Sequence, residues 1–437
     1  MTTNANPISF VRTEMLPQAE PPLGQKGALK WMRENLFSSI LNSVLTILTI
    51  LAIYYVISHL FPWFRHSVWN AGSLSECREI RDATWGPDVP SACFGVIRDR
   101  WPQLMFGFYP NDAYWRPVLA LVLFLVGILP ILFTALPRKM LYFTAIVPFA
   151  MFALIWGGSI WGPVMVIVGL LIGYLAFKFL IEPAGAIVAV LATVLLPLVF
   201  WLLLAGPIVG GLASVVDWGL PFVKSKDIGG FTLAVIIGVV GIVMSLPLGI
   251  ILALGRQSDM WIVNKLSTAF IEIIRGVPLI VWLFTAQLLL NYFLPKGTNF
   301  DLMLRVIIMV TLFSAAYIAE VVRGGLAALP KGQYEAADSL GLDYWKSMRL
   351  IILPQALKIS IPGIVNTFIG LFKDTTLVMF IGMFDPLGLI SAIRATTDWN
   401  GIYWELYIFI AAVFFIFCFS MGRYSLYLEK KLRREHR

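Results

Sequence analysis

Apolar stretches of about 20 residues follow one another along this sequence, separated by short charged segments. A helix of that length crosses the hydrocarbon layer of a bilayer, and lipid leaves no partner for an unpaired peptide group, so such a chain folds as a helical membrane protein. The stretches occupy residues 36–61, 117–136, 141–156, 160–181 and 184–205, then, past a linker near 217–226, residues 229–254, 278–294, 302–322, 356–381 and 402–424. An all-α polytopic fold of about ten transmembrane helices is predicted. Composition agrees: 59% of residues are hydrophobic and 13% charged, against about 25% charged in soluble domains. A soluble enzyme or scaffold does not fit. The first stretch is too long for a signal-peptide core and has no obvious cleavage site, which predicts a retained span.

The net charge of +8 does not point to nucleic acid, because the Lys and Arg lie between apolar stretches and form no basic stripe with interleaved aromatics. They serve the positive-inside bias better. With Lys430, Lys431, Arg433 and Arg434 placed in the cytoplasm, counting back through the spans puts Arg323, Lys331, Lys346, Arg349, Lys358, Arg256, Lys265, Arg275, Arg138 and Lys139 on the same side. Both termini then lie in the cytoplasm, and the first 35 residues, polar and rich in Pro, read as a flexible tail. The loop 62–116 falls outside. It carries Cys77 and Cys93, which suit a disulfide if the loop meets an oxidising compartment and are two free thiols otherwise. Its Trp63, Trp69, Trp85, Trp101 and Trp115 suit interfacial anchors or a small extramembrane cap.

Several chemistries are missing from the sequence. The 3 His (His59, His66, His436) are scattered, without metal-ligand spacing, and no phosphate-binding G-x-x-x-x-G-K-[ST], G-x-S-x-G or H-E-x-x-H pattern occurs. No cofactor is expected on this chain, and it is not expected to be an enzyme. If ATP drives it, another chain hydrolyses the ATP.

The segment 326–354 differs from an ordinary loop. Pro330 and Gly332 punctuate its start, 333–340 are helix formers, and Gly341 suits the left-handed position past a helix end. Asp343 can cap a second short helix at 344–350, which Pro354 is expected to stop. The small Ala336 and Ala337 predict a low surface that enters a groove on a partner; an amphipathic hairpin lying on the inner leaflet is the alternative. Glu335-Ala336-Ala337, then Gly341, then Ile352-Leu353-Pro354, resembles the EAA motif of bacterial ABC-importer permeases, which in that family docks on the ATP-binding subunit; the resemblance implies ATPase coupling by Glu335, Ala336, Ala337, Asp338, Gly341, Leu353 and Pro354. The flanks are similar to the polar amino-acid branch: Glu272 to Pro278 upstream, Ala316 to Gly325 before the hairpin, and Leu371 to Leu377 after it. The long form, with its Cys-bearing outer loop, is similar to the M-type permease subunit of general L-amino-acid importers.

This resemblance implies a cytoplasmic tail at 1–35, an additional five-span region at 36–206 and a periplasmic linker at 207–228. An ABC type-1 permease domain at 229–426 with its coupling hairpin at 326–354 would follow, then a basic cytoplasmic tail at 427–437. It also implies the partners: an ATPase dimer holding ATP and Mg, a second, non-identical permease subunit, a periplasmic amino-acid-binding protein, and lipid in a bacterial inner membrane. Nothing in the N-terminal half matches a motif.

Charged groups inside spans cost about 2.5–3.5 kcal/mol at the bilayer centre, so they usually face a cavity or a partner. Asn366, Gly370 and Lys373 fall nearly on one line of a helix, with Asp374 about a quarter-turn away. Asn366, Asp374 and, from the neighbouring span, Glu320 are the candidate substrate path; Glu320 pairing with Arg323 at i,i+3 is the alternative. Arg275, Gly276 and Pro278 mark a turn from an interfacial helix into the membrane, read as a gate hinge or as a positive-inside anchor. Gly157-Gly158 and Gly206, Gly210 and Gly211 suit turns or close helix packing. The expected function is a permease subunit of an ATP-driven amino-acid importer. An ion-coupled secondary transporter and a non-transporting assembly factor are the alternatives, the first weakened by the lack of a second hairpin in the N-terminal half.

Overall fold

A computed structural model describes residues 27–133, 135–216, 218–289 and 301–434. Residues 1–26 of the expected tail (with Pro7, Arg12 and Lys26), Asp217 of the linker, residues 290–294 of one apolar stretch, and His436 lie outside the described residues.

All ten apolar stretches contain helix. In chain order the helices are α1 (Gly27–Asn35), α2 (Ile40–Arg65), α3 (Leu74–Thr84), α4 (Gly95–Phe106), α5 (Trp115–Leu132), α6 (Met140–Trp156), α7 (Trp161–Leu180), α8 (Gly185–Val199) and α9 (Ala205–Val215). They continue with α10 (Gly230–Arg256), α11 (Trp261–Gly276), α12 (Leu279–Phe284), α13 (Leu302–Ala327), α14 (Lys331–Ser339), α15 (Tyr344–Ser347), α16 (Leu353–Asp374), α17 (Pro386–Arg394) and α18 (Trp404–Arg434). Among the described residues, eight helical segments are long and apolar enough to cross a membrane, and the bent pair α11–α12 makes up to nine. The remaining stretch is α6, 17 residues, at the lower limit of a crossing length. The expected number of about ten therefore stands as eight or nine by length and composition.

Two compact units divide the chain: one reaches Val68 and includes Cys77–Cys93, the other comprises Trp69–Glu76 and Phe94–Arg437. In the first, Ser39 caps α2 by accepting from the Asn42 amide, and α2 has no buried residue. Cys77 and Cys93 are disulfide-bonded. Part of the stretch read as a flexible tail is helical: α1 holds a Lys30–Glu34 ion pair at i,i+4 that supports a short helix.

The second unit alternates in direction. α5 and α6 are antiparallel, with Thr144 Oγ1 donating to the Gly127 carbonyl at 2.7 Å. The end of α6 returns to the start of α5, where the Tyr109 hydroxyl donates to the Ile155 carbonyl and Arg116 to the carbonyls of Leu154 and Pro221. α6 thus traverses the full length of α5 despite its shortness. Gly157 and Gly158 take φ of +67° and +79° in the turn that follows, and Gly158–Ser159 pairs with Gly219–Leu220 as a two-stranded ribbon. α8 runs through a π turn, Phe200–Leu204, into α9 and stays helical to Val215, so the connection to α10 begins later than 207. Among the described residues nothing lies within 4 Å of a Cβ at Gly206, Gly210 or Gly211, whereas a Cβ at Gly169 would collide with the Trp201 indole.

The helices from α10 onward interlock through small residues. A Cβ at Gly249 would lie 2.6 Å from Ile318 of α13, and one at Gly363 of α16 2.7 Å from Val321. Two apolar cores result. One gathers Leu233, Ile237, Leu283, Val306 and Val378; the other gathers Ala253, Ile271, Ile318, Val322, Met348 and Ile352. The segment before α5 is built into one end of this bundle. Gly229 and Gly230 donate to the carbonyls of Phe106 and Phe384, and Trp399, fully buried, donates to Asp99. At the other end, which carries α14 and α15, Tyr424 of α18 donates to the Leu132 carbonyl at the end of α5.

Candidate functional site

The segment 326–354 folds as a hairpin. α14 starts after Pro330, and its C-terminal residues lead to Gly341, whose φ of +68° an L-residue adopts only at a cost of about 1–2 kcal/mol. Nothing lies within 4 Å of a Cβ at Gly341, so backbone conformation and not space demands glycine. Asp343 caps α15 by accepting from the Lys346 amide at 2.9 Å and pairs with Lys346 Nζ at 2.8 Å. The hydrogen bond from the Lys346 side chain, first among these contacts, holds the exposed Asp343 carboxyl below the usual carboxylate range.

The second arm does not end at Pro354. It passes through a π turn, Met348–Ile352, and continues as α16, with Pro354 in the first turn. Proline is tolerated there because the π turn, in which the Leu353 amide reaches back to the Met348 carbonyl, re-phases the backbone ladder just ahead of it. The hairpin is thus one continuous lever with α16. Gln355 Nε2 donating to Gln333 Oε1 at 2.9 Å ties the two arms.

The two alanines differ. Ala336 is exposed, as are Glu335, Asp338 and Gly341, whereas Ala337 is fully buried, the one buried residue of α14. Leu353 is half-buried and Pro354 exposed. Sequence reasoning missed the apolar tip. Leu340 and Trp345 are 73% and 71% exposed and Tyr344 is exposed beside them, a patch that large apolar residues within a polar loop signalled.

Arg275, Gly276 and Pro278 lie at a sharp bend. α11 ends at Gly276, Pro278 precedes α12 with φ −57° and ψ 143°, and the two helix axes differ by 101°. Farther along, a π turn at Thr285–Leu289 continues α12, and Arg305 Nη1 donates to the Ala286 and Gln287 carbonyls there. Arg305, a charge inside an apolar stretch, is a second residue that the sequence reading passed over.

Glu320, Asn366 and Asp374 do not meet at one point. Ser360 Oγ donates to the Val321 carbonyl, so Glu320 is nearly level with Ser360 on the antiparallel α16. Asp374 lies about 20 Å farther along that helix. Asn366 and Lys373 are exposed, Gly370 has open space around it, and Asp374 is half-buried. One face of α16 is therefore polar and uncovered. Glu320 instead receives Arg323 of its own helix at Oε1 and Arg256 of α10 at Oε2 (2.9 Å), with Arg275 of α11 at 3.7 Å.

Residues 245–434 match the family described as binding-protein-dependent transport system inner membrane component. Over 98% of its length the chain is 59% identical to the glutamate/glutamine/aspartate/asparagine transport system permease protein BztC of Rhodobacter capsulatus, covering 99% of that protein. It is 41% identical to the inner membrane amino-acid ABC transporter permease protein YhdY of Escherichia coli, over 92% of this chain and 93% of that one. A crystal structure of an amino acid ABC transporter with histidines is similar at 30% identity and a TM-score of 0.41, over 45% of this chain and 90% of that chain. With its eight or nine apolar helices, the chain belongs to the family of amino-acid ABC transporter permeases, as an inner membrane component of a binding-protein-dependent transport system.

Proposed function

We propose that this chain is one of two permease subunits of an importer for acidic amino acids and their amides, driven by ATP hydrolysed with Mg on a separate ATPase dimer. The near full-length identity to a permease protein of glutamate, glutamine, aspartate and asparagine transport supports the substrate class. Residues 229–426 form the permease domain and 36–206 an additional region. The hairpin end faces the cytoplasm together with both termini, and the end carrying Trp399 and Gly229 faces the periplasm, where a binding protein delivers the amino acid.

The observation that carries the coupling role is the exposed tip Leu340, Tyr344 and Trp345 beside the exposed Ala336, on a lever continuous with α16. An apolar tip on a charged hairpin is covered by a partner when the complex is assembled. ATPase closure pushes this lever, and α16 carries the displacement along its uncovered face, where Asn366 and Asp374 border a path that a second permease subunit completes. A partner with different affinity for the two access states shifts their balance, and one with equal affinity does not.

The test is purification of the tagged full chain in mild detergent, then reconstitution with the proteins it retains. Co-purification of an ATPase and a second permease, and ATP-driven glutamate uptake that survives collapse of proton and sodium gradients, are expected. Uptake that follows the ion gradients and ignores ATP refutes this function.

A further inference from the structure

One carboxylate joins three helices at the hairpin end. Glu320 Oε2 accepts from Arg256 at the end of α10, at 2.9 Å, and Arg256 also reaches Glu272 of α11 at 2.9 Å. Arg275, at the end of α11, lies 3.7 Å from the same Glu320 oxygen, and its guanidinium sits 5.3 Å from the centre of the Tyr317 ring of α13. The Glu320 side chain is 23% exposed and that of Arg256 24%, so the contacts are shielded from solvent more than a surface pair is. Arg275 thus holds α13 twice, by charge and by ring.

The surrounding packing decides what this junction can do. α10 and α13 already interlock, with Gly249 against Ile318, and need no ion pair to move together. The bent pair is held differently. Gly276 has open space around it, Val277 is extended, and the chain turns through 101° before α12 begins. Without Glu320, α11 keeps its apolar contacts through Ile271 and Ile274 but loses the polar clip beside its bend. α13 runs on into the hairpin after Ala327.

We propose that Glu320 is a positioning residue for transport: it is the joint through which displacement of the hairpin, passed up α13, turns the α11–α12 bend. The inference rests on the reading that the hairpin engages an ATPase. Glu320→Gln keeps shape and removes the charge, which leaves Arg256, Arg275 and Arg323 close together with Glu272 as the one remaining counter-charge of the network. The bend then loses its charged tie to α13 and keeps only the Arg275–Tyr317 ring contact and apolar packing, while the docking tip is unchanged.

The test uses the complete complex in proteoliposomes, with ATP hydrolysis and uptake of radiolabelled L-glutamate measured on the same vesicles. For Glu320→Gln the expected result is normal assembly, at least half the wild-type ATP hydrolysis, and about a tenfold fall in glutamate carried per ATP. Arg275→Met, which removes only the clip at the bend, is expected to uncouple in the same way, and Glu320→Asp, which keeps the charge, to recover part of the loss. A wild-type ratio of uptake to hydrolysis in both Glu320→Gln and Arg275→Met overturns the joint. So does parallel loss of assembly, hydrolysis and uptake in both, which marks a merely structural role. Failure of the wild-type chain to retain any ATPase is a distinct result and removes the docking reading itself.

Discussion

The two alanines of the hairpin should respond oppositely to the same enlargement. Ala337 is fully buried on α14, which packs on α15 and the Met348–Ile352 turn, and its carbonyl accepts from the Leu342 amide at 3.2 Å. Leucine there adds three carbons where no solvent-facing room exists, and overpacking of this kind costs about 1–3 kcal/mol. A cost near 2 kcal/mol raises the opened fraction of the hairpin by up to about 30-fold. Ala336 is exposed, so leucine at that position changes stability by less than about 0.5 kcal/mol. Hydrogen exchange of the amides of residues 331–342 reads the difference in the isolated permease, and ATPase recovery in a pull-down reads docking. Ala337→Leu is expected to accelerate exchange 5- to 30-fold and lower recovery as a consequence. Ala336→Leu is expected to lower recovery with exchange nearly unchanged. Unaltered exchange in Ala337→Leu would place that residue on the partner-facing surface and refute the argument from burial.

Three further outcomes follow from single features. Asp385 is fully buried at the N-cap of α17, and burial pushes its carboxyl from 3.8 up to about 6 despite the Gly388 and Leu387 amides donating to it. The folded state therefore binds the extra proton between these values, so this contribution is fully present below pH 3.8 and is lost as pH rises through about 6. Asp385→Asn, still a good cap, should flatten that slope and stabilise the chain at pH 7.5 by up to about 3 kcal/mol, read by thermal unfolding in detergent. Breaking the Cys77–Cys93 bridge, which closes a separation of 16 residues, should cost the loop about 3 kcal/mol and speed tryptic cleavage at Arg78 and Arg81. Gly107→Ala, at φ +71° with a Cβ 2.4 Å from Gly229 Cα, should lower the unfolding temperature, whereas Gly206→Ala, in open space on a helix, should raise it by virtue of about 1 kcal/mol of propensity.

What the sequence disclosed was local. The helical stretches follow from apolar runs, the Asp343 cap and the Gly341 turn from single residues with strong positional preferences, and the bend from Pro278. What it hid depends on partners far away in the chain or on backbone phase. Glu320 could be paired in sequence only with Arg323, three residues on, because Arg256 lies 64 residues distant on another helix. The π turns at Phe200–Leu204, Thr285–Leu289 and Met348–Ile352 have no residue signature, and the last of them is why Pro354 begins α16 rather than ending the hairpin. Exposure of Ala336 and burial of Ala337 could not be separated while the second arm's path was unknown.

The additional N-terminal region is joined to the family core by contacts that neither side can satisfy alone. The family match begins at 245, yet the start of α10 is held from the other side: Gly229 donates to the Phe106 carbonyl and Thr232 to the Met105 carbonyl at 2.9 Å. A Cβ at Gly230 would stand 2.2 Å from the Leu104 carbonyl oxygen, so backbone passes against backbone at this seam. Trp399, fully buried between α17 and α18, has its indole N–H on Asp99, and Arg100 reaches Asp398 of the same loop at 3.9 Å. Polar groups buried without partners cost about 1–3 kcal/mol each, so removing α4 would expose the starts of α10 and α18 together. At the opposite end a described tie lies at Tyr424, whose hydroxyl donates to the Leu132 carbonyl and whose ring meets Phe133 edge-on. The described contacts of the extra region with the core thus concentrate at the end carrying Trp399 and Gly229, and on the proposed reading this is the end opposite the one where α11, α13 and the lever move against one another.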